Sequence, residues 1–183
     1  MSCNLLFATP VWSTVLENAA DLNQQLLIDG LQYQGDDFFD LPNASIVELK
    51  TRTLEYINQD IKTSVYFPHL QNATISVHGR QNPIQPRESD TPHWHPDKTL
   101  IGVYYVFVPE NSGDILLHDP RGAVERTWTE PTAPKEFRGS RTFYRIRPES
   151  GLLLFFPSYL VHSVETNLSN QTRLSIIIDV TAS

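Results

Sequence analysis

From Pro68 to the end, the chain is a succession of short β-type runs separated by turn-forming clusters. The runs are Ala73–His78, Thr99–Val108, Asp114–His118, Thr142–Ile146, Leu152–Phe156, His162–Glu165 and Arg173–Val180. Many short strands with Pro- and Gly-rich turns predict a sandwich or barrel.

The first third reads differently. Leu5–Val15 is apolar and β-branched but holds Pro10, which fits an edge strand because proline cannot donate to a central ladder. Asp21 is the expected N-cap of a helix running to about Leu31. Gly35–Asn43 reads as a loop. Ser45, with Glu48 three residues on, has the capping-box pattern of a second helix. The apolar stripe of that helix is Ile46, Leu49, Leu54, Ile57 and Ile61. Two helices followed by strands predict an α+β, mainly β chain whose helices buttress one sheet. We expect one domain over 1–183, with 1–68 as helical support and 69–183 as the β core. The segment 120–140 is long for a loop in a compact domain, which fits a lid or substrate contact as well as a surface insertion.

Of the 183 residues, 40% are hydrophobic and 19% charged, enough for a packed core. A net charge of −7 argues against a nucleic-acid partner. Cys3 is the only cysteine, so neither an intramolecular disulfide nor a cysteine-built zinc site can form. With no membrane-length apolar run and no signal-type start, the expected location is the cytoplasm. An oligomer is possible.

The segment Thr91-Pro-His-Trp-His-Pro-Asp97 carries the most chemistry. In an extended chain, residues i and i+2 face the same way, so His93, His95 and Asp97 alternate against Trp94. His162 follows the buried run LLLFF and a turn at Pro157, and so returns toward the core. Two histidines and a carboxylate on one face of an ion, with other positions open, is what non-haem Fe(II) oxygenases need. Two ligand sets fit the spacing: His93, His95 and His162, or His95 and Asp97 with His162. In the first, Asp97 could orient His95 from outside the ligand set. The plainer alternatives are surface histidines in a polar loop and a satisfied core histidine at 162.

Arg173 opens the apolar strand RLSIIIDV, where its charge needs a partner. A carboxylate ligand could pair with it in bidentate geometry, as could an acidic side chain. Ser175 shares its face. Tyr104 and Tyr105 must face opposite ways, one in and one out, and the inward hydroxyl needs a partner.

Taken together, the strings LFATPVW, His93-Trp-His-Pro96 leading to GVYYV, SGDILLHDPRG, GLLLFFPSYLVHSV and RLSIIIDV resemble the 2-oxoglutarate/Fe(II)-dependent oxygenases related to prolyl hydroxylases. The resemblance implies a double-stranded β-helix, a jelly-roll or cupin-like fold. Fe(II), 2-oxoglutarate and O2 would serve to hydroxylate a C–H bond of a small-molecule or peptidyl substrate, releasing succinate and CO2. By motif, His162 matches the distal metal ligand. Arg173 and Ser175 match the residues that bind the far carboxylate of 2-oxoglutarate, and Tyr105 a tyrosine that helps to hold it. The resemblance favours His93/His95 as the proximal pair over His95/Asp97.

Rival readings are a three-histidine cupin-like dioxygenase without 2-oxoglutarate, a non-catalytic jelly-roll binding module, and a degenerate oxygenase that keeps the fold only. Trp94, Trp128, His118, Arg121, Arg126 and Arg141 are candidates either to line the mouth of the site or to lie plainly on the surface.

Overall fold

A computed structural model describes residues 8–30, 33, 35–121 and 143–183. Two antiparallel sheets face each other. The larger runs β1 (Trp12–Val15), β7 (Leu152–Pro157), β4 (Leu100–Phe107), β9 (Arg173–Ala182), β2 (Ile75–Ile84). The smaller runs β3 (Asp90–His93), β8 (His162–Val164), β5 (Ile115–His118), β6 (Phe143–Ile146). In this order β4 and β7, far apart in sequence, are neighbours, as the jelly-roll expectation requires.

The larger sheet is buried on both faces, which explains why its central strands are nearly continuous apolar runs. Leu100, Tyr104 and Val106 of β4, Leu153 and Phe155 of β7, and Ile176, Ile178 and Val180 of β9 pack against the helices. Alternate residues Ile101, Val103, Tyr105, Leu152, Leu154, Phe156 and Ile177 meet Ile115 and Leu117 of the smaller sheet. Each such side chain, fully buried, contributes roughly 1.5–3 kcal/mol. The tyrosine expectation therefore changes: neither faces solvent. Tyr104 points to the helices and donates to Asn23 Oδ1 at 2.7 Å, while Tyr105 points between the sheets.

Helix α1 spans Ala19–Gly30 and α2 spans Ala44–Tyr56. Both predicted caps are displaced. Asp21 lies within the first turn of α1 rather than before it. Asn43 is the N-cap of α2, and the Ser45 hydroxyl donates instead to Asp29 Oδ2 at 2.6 Å, tying the two helices together. A π-turn over Ile57–Ile61 continues α2 with an i→i+5 bond from Lys62 N–H to the Ile57 carbonyl, and both Ile57 and Ile61 join Ile46 and Leu49 in the core. The Gly35–Asn43 loop contains a 3-10 turn, Phe38–Asp40, that buries Phe38 and Phe39.

Two strand assignments also change. β2 extends through Pro83, which is tolerated because β2 is an edge strand. β3 (Asp90–His93) is an additional strand, in a polar run with a proline that carries no apolar alternation. β1 forms the other edge of the larger sheet, as expected, so the N-terminal third contributes a strand as well as helices. The candidate lid at 120–140 lies almost wholly outside the described residues, as do Trp128, Arg126 and Arg141.

Candidate metal and cosubstrate site

β3 and β8 pair antiparallel with Asp90 opposite Val164 and His93 opposite His162. Three steps on one strand match two on the other, so an extra residue is inserted at Thr91-Pro92. Such a bulge re-aims the side chain that follows it, and Asp90 and His93 both come to line one cavity with Val164 and His162. Proline at 92 suits a bulge, where a ladder hydrogen bond is already missing.

His95 lies just beyond β3. Its N–H donates to the Ser158 carbonyl at 3.1 Å, anchoring the segment to the turn between β7 and β8. Trp94 is exposed, as alternation predicts. The three imidazoles are mutual neighbours, with ring centroids 5.3 Å (His93–His95), 4.3 Å (His93–His162) and 5.2 Å (His95–His162) apart. One ring nitrogen of each lies within 4.8 Å of the others, a spacing that could hold a metal ion. Phe156 walls in His162 at 4.8 Å between ring centroids.

The Nδ1 side of each ring faces an oxygen. Nδ1 of His93 lies 2.7 Å from the Thr91 carbonyl and that of His162 lies 3.0 Å from the Leu160 carbonyl. Nδ1 of His95 stands 3.5 Å from Asp179 Oδ1. With Nδ1 protonated toward these acceptors, Nε2 of each ring is left as a lone-pair donor, the state a metal requires. Burial, reinforced by the two neighbouring histidines, pushes His162 down to about 4, so it is neutral at physiological pH.

The same cavity, about 100 Å³, reaches Tyr105, Arg173, Ser175, Arg80 and Asn82. Arg173 is 1% exposed, and among the described residues no carboxylate pairs with it. Its Nη1 donates to the Gly113 carbonyl at 3.1 Å, and its Nε is buried without a partner among the described residues. Burial lowers its pKa, against the pull of Tyr105, Asp90 and Asp114. The Tyr105 hydroxyl is likewise buried with no partner among the described residues, and burial pushes its pKa up to about 12 although Arg173 acts to lower it. Ser175 Oγ makes one long contact, 3.4 Å, to the Asn82 carbonyl. A buried cation and two polar groups with unused capacity thus line one wall of the cavity that the histidines share.

Asp97 is exposed, in left-handed backbone (φ 62°), and is not part of the histidine group. The carboxylate near His95 is Asp179, which the sequence reading passed over. Burial raises the Asp179 pKa, but His95, Arg80 and Lys98 together bring it below its ordinary value. Asp90, Asn82 and Arg80 were also missed. His118 lies off the cavity, with Nε2 2.9 Å from Ser163 Oγ. Arg121 pairs with Asp119 at the surface. A larger open groove, about 890 Å³, follows the loops 108–114, 147–150 and 165–168 and holds none of the predicted site residues.

Among the described residues, two facing antiparallel sheets hold three converging imidazoles that could take a metal ion, beside a buried arginine with no carboxylate partner. Residues 81–179 match the family model of the 2OG-Fe(II) oxygenases, more than half of the chain, and the chain belongs to that family. Among solved structures it is similar to a Pseudomonas putida prolyl-4-hydroxylase (13% identity, 93% of this chain and 84% of that one, TM-score 0.61). It is also similar to HygX from Streptomyces hygroscopicus with iron bound (12%, 94% and 82%, TM-score 0.63) and with nickel and 2-oxoglutarate bound (12%, 94% and 83%, TM-score 0.61). At these identities the likeness shows the fold. The chain spans 57% of the length of a Burkholderia pseudomallei oxidoreductase of the 2OG-Fe(II) oxygenase family, at TM-score 0.46, too loose a likeness to carry more. No curated protein matches the chain.

Proposed function

We propose that His93, His95 and His162 hold Fe(II), and that Arg173, Ser175 and Tyr105 hold the far end of 2-oxoglutarate. In this reading the protein spends O2 and the keto acid, with release of succinate and CO2, to hydroxylate a C–H bond of a small-molecule or peptidyl substrate. The carrying observation is that carbonyl oxygens engage Nδ1 of His93 and His162, a carboxylate stands 3.5 Å from Nδ1 of His95, and one nitrogen of each ring falls within 4.8 Å of the others. Iron supplies the redox chemistry when bound. The chain supplies the rest. The carbonyls of Thr91 and Leu160 fix ring tautomers, Val103 and Ile177 give the cavity apolar wall, and Phe156 packs against His162. Arg173 meets a carboxylate with two donors.

The unpaired Arg173 favours this over a dioxygenase without a keto acid. A buried cation costs several kcal/mol unless paired, and an acidic cosubstrate is the partner that the described residues do not provide. The exposed Asp97 is the weaker candidate ligand. We treat 1–183 as one catalytic unit, because helices and sheet share the core around Phe38, Ile46, Phe155 and Ile178. A cytoplasmic location is consistent with the single cysteine. Among the described residues no helix is long and apolar enough to cross a membrane.

The test is anaerobic addition of Fe(II) and then 2-oxoglutarate, watching for the weak visible charge-transfer band of a keto acid chelated to ferrous iron. The expected result is a band in wild type that His162→Ala abolishes and Arg173→Ala weakens. Iron binding without a band would favour the keto-acid-independent dioxygenase; neither would favour a binding module.

A further inference from the structure

The inward face of β9 reads Arg173, Ser175, Ile177, Asp179, since alternate residues of a strand share a face. Arg173, Ser175 and Ile177 line the cavity directly. Asp179 ends the row behind His95. Its Oδ1 is buried, has no hydrogen-bond partner among the described residues, and stands 3.5 Å from His95 Nδ1. Arg80 and Lys98 are near enough to act on it electrostatically, yet neither pairs with it among the described residues.

His95 differs from the other two histidines. His93 and His162 lie on paired strands, and each ring is held by a backbone carbonyl two residues before it. His95 lies beyond the end of β3, and among the described residues Asp179 is the group that addresses its Nδ1. Backbone carbonyls are neutral acceptors, whereas a carboxylate carries a full charge. Three imidazoles bring no charge to a divalent ion, and Asp97 is exposed and outside their group.

Building on the proposed three-histidine centre, we infer that Asp179 is a positioning residue for the metal site. Its carboxylate holds His95 in the tautomer that presents Nε2, and it stands one side chain removed from the metal as the negative charge that an all-imidazole ligand set lacks. Carboxylate–histidine–metal relays of this kind fix ring orientation and raise ligand basicity, and losing the outer partner costs ~10–100-fold in metal affinity.

The test uses two variants and two readouts on the full chain. In metal-free protein at mildly alkaline pH, imidazole 15N NMR reads the His95 tautomer. Wild type and Asp179→Asn are expected to hold Nδ1–H, because the amide oxygen still accepts; Asp179→Leu is expected to release it to a mixture. Co(II) affinity, measured by chelator competition with the ligand-field spectrum as signature, is expected to fall ~10–100-fold in Asp179→Leu. In Asp179→Asn, which removes charge alone, a smaller fall is expected. Should Asp179→Leu fail to fold, Asp179→Asn still decides: wild-type affinity there overturns the charge role. A wild-type protein that takes up no Co(II) overturns the metal reading and this inference with it. Wild-type uptake with both variants unchanged in tautomer and affinity overturns only the role of Asp179.

Discussion

The Arg173 guanidinium lies 5.7 Å from the centre of the Tyr105 ring, and the two residues leave a buried N–H and a buried hydroxyl without partners among the described residues on the same cavity wall. Burying a charge and two polar groups unsatisfied is expensive. A fold keeps such an arrangement where a ligand completes it.

Stability and binding should therefore move in opposite directions at Arg173. Arg173→Met removes a buried unpaired charge and keeps most of the volume. The metal-free, ligand-free variant is expected to be at least as stable as wild type in urea unfolding. Its 2-oxoglutarate affinity is expected to fall on the order of 100-fold, since hydrogen bonds to charged groups are each worth about 1.5–3 kcal/mol. A large loss of stability would mean that Arg173 is structural.

Tyr105→Phe tests the same wall more gently. Removing a hydroxyl with no partner should leave the ligand-free protein unchanged or more stable by about 1 kcal/mol. The 2-oxoglutarate dissociation constant should rise a few-fold, and calorimetric titration reads both wild type and variant directly.

Gly113 holds Arg173 through its carbonyl, and its φ of +89° lies where side chains are strained. A Cβ there would also collide with the carbonyl of Glu165. Gly113→Ala is expected to cost about 1–3 kcal/mol and to weaken 2-oxoglutarate binding without altering Co(II) affinity. Equal loss of both ligands would point to general unfolding rather than to displacement of Arg173.

His162 predicts a pH dependence for the metal-free protein. Burial, with His93 and His95 beside it, lowers its pKa from 6.5 to about 4 in the folded state. As pH falls, the unfolded chain takes up the proton first. Stability from this group is intact above about 6.5, declines between about 6.5 and 4, and levels off below, a total on the order of 3 kcal/mol. Urea midpoints across that range should show the decline in wild type and a flatter profile in His162→Phe. An equal decline in both would assign it to other groups.

Much of this was legible in the chain, and the failures have local causes. His93 and His95 could be placed on one face from their spacing, and Arg173 and Ser175 from theirs, because period-2 alternation survives in any extended segment. The bulge at Thr91-Pro92 was not legible, since its run is polar and holds a proline; yet the bulge aims His93 inward and frees the Thr91 carbonyl to hold its ring. Asp179 had a signal that went unused: a carboxylate two residues beyond Ile177, on the face already assigned to Arg173. Ser45 carried the capping pattern, but tertiary contact with Asp29 took its hydroxyl and left Asn43 at the cap. Tyr104 and Tyr105 do point to opposite faces, as alternation requires, yet neither is exposed, because helices cover one face of the sheet and the smaller sheet covers the other, which alternation alone cannot reveal.

The most direct test is anomalous diffraction from crystals grown without oxygen in the presence of Mn(II) and 2-oxoglutarate. The account predicts one metal peak bonded to Nε2 of His93, His95 and His162, with the far carboxylate of 2-oxoglutarate on Arg173 and Ser175. A peak bonded to Asp97, or a keto acid that leaves Arg173 unpaired, would contradict it.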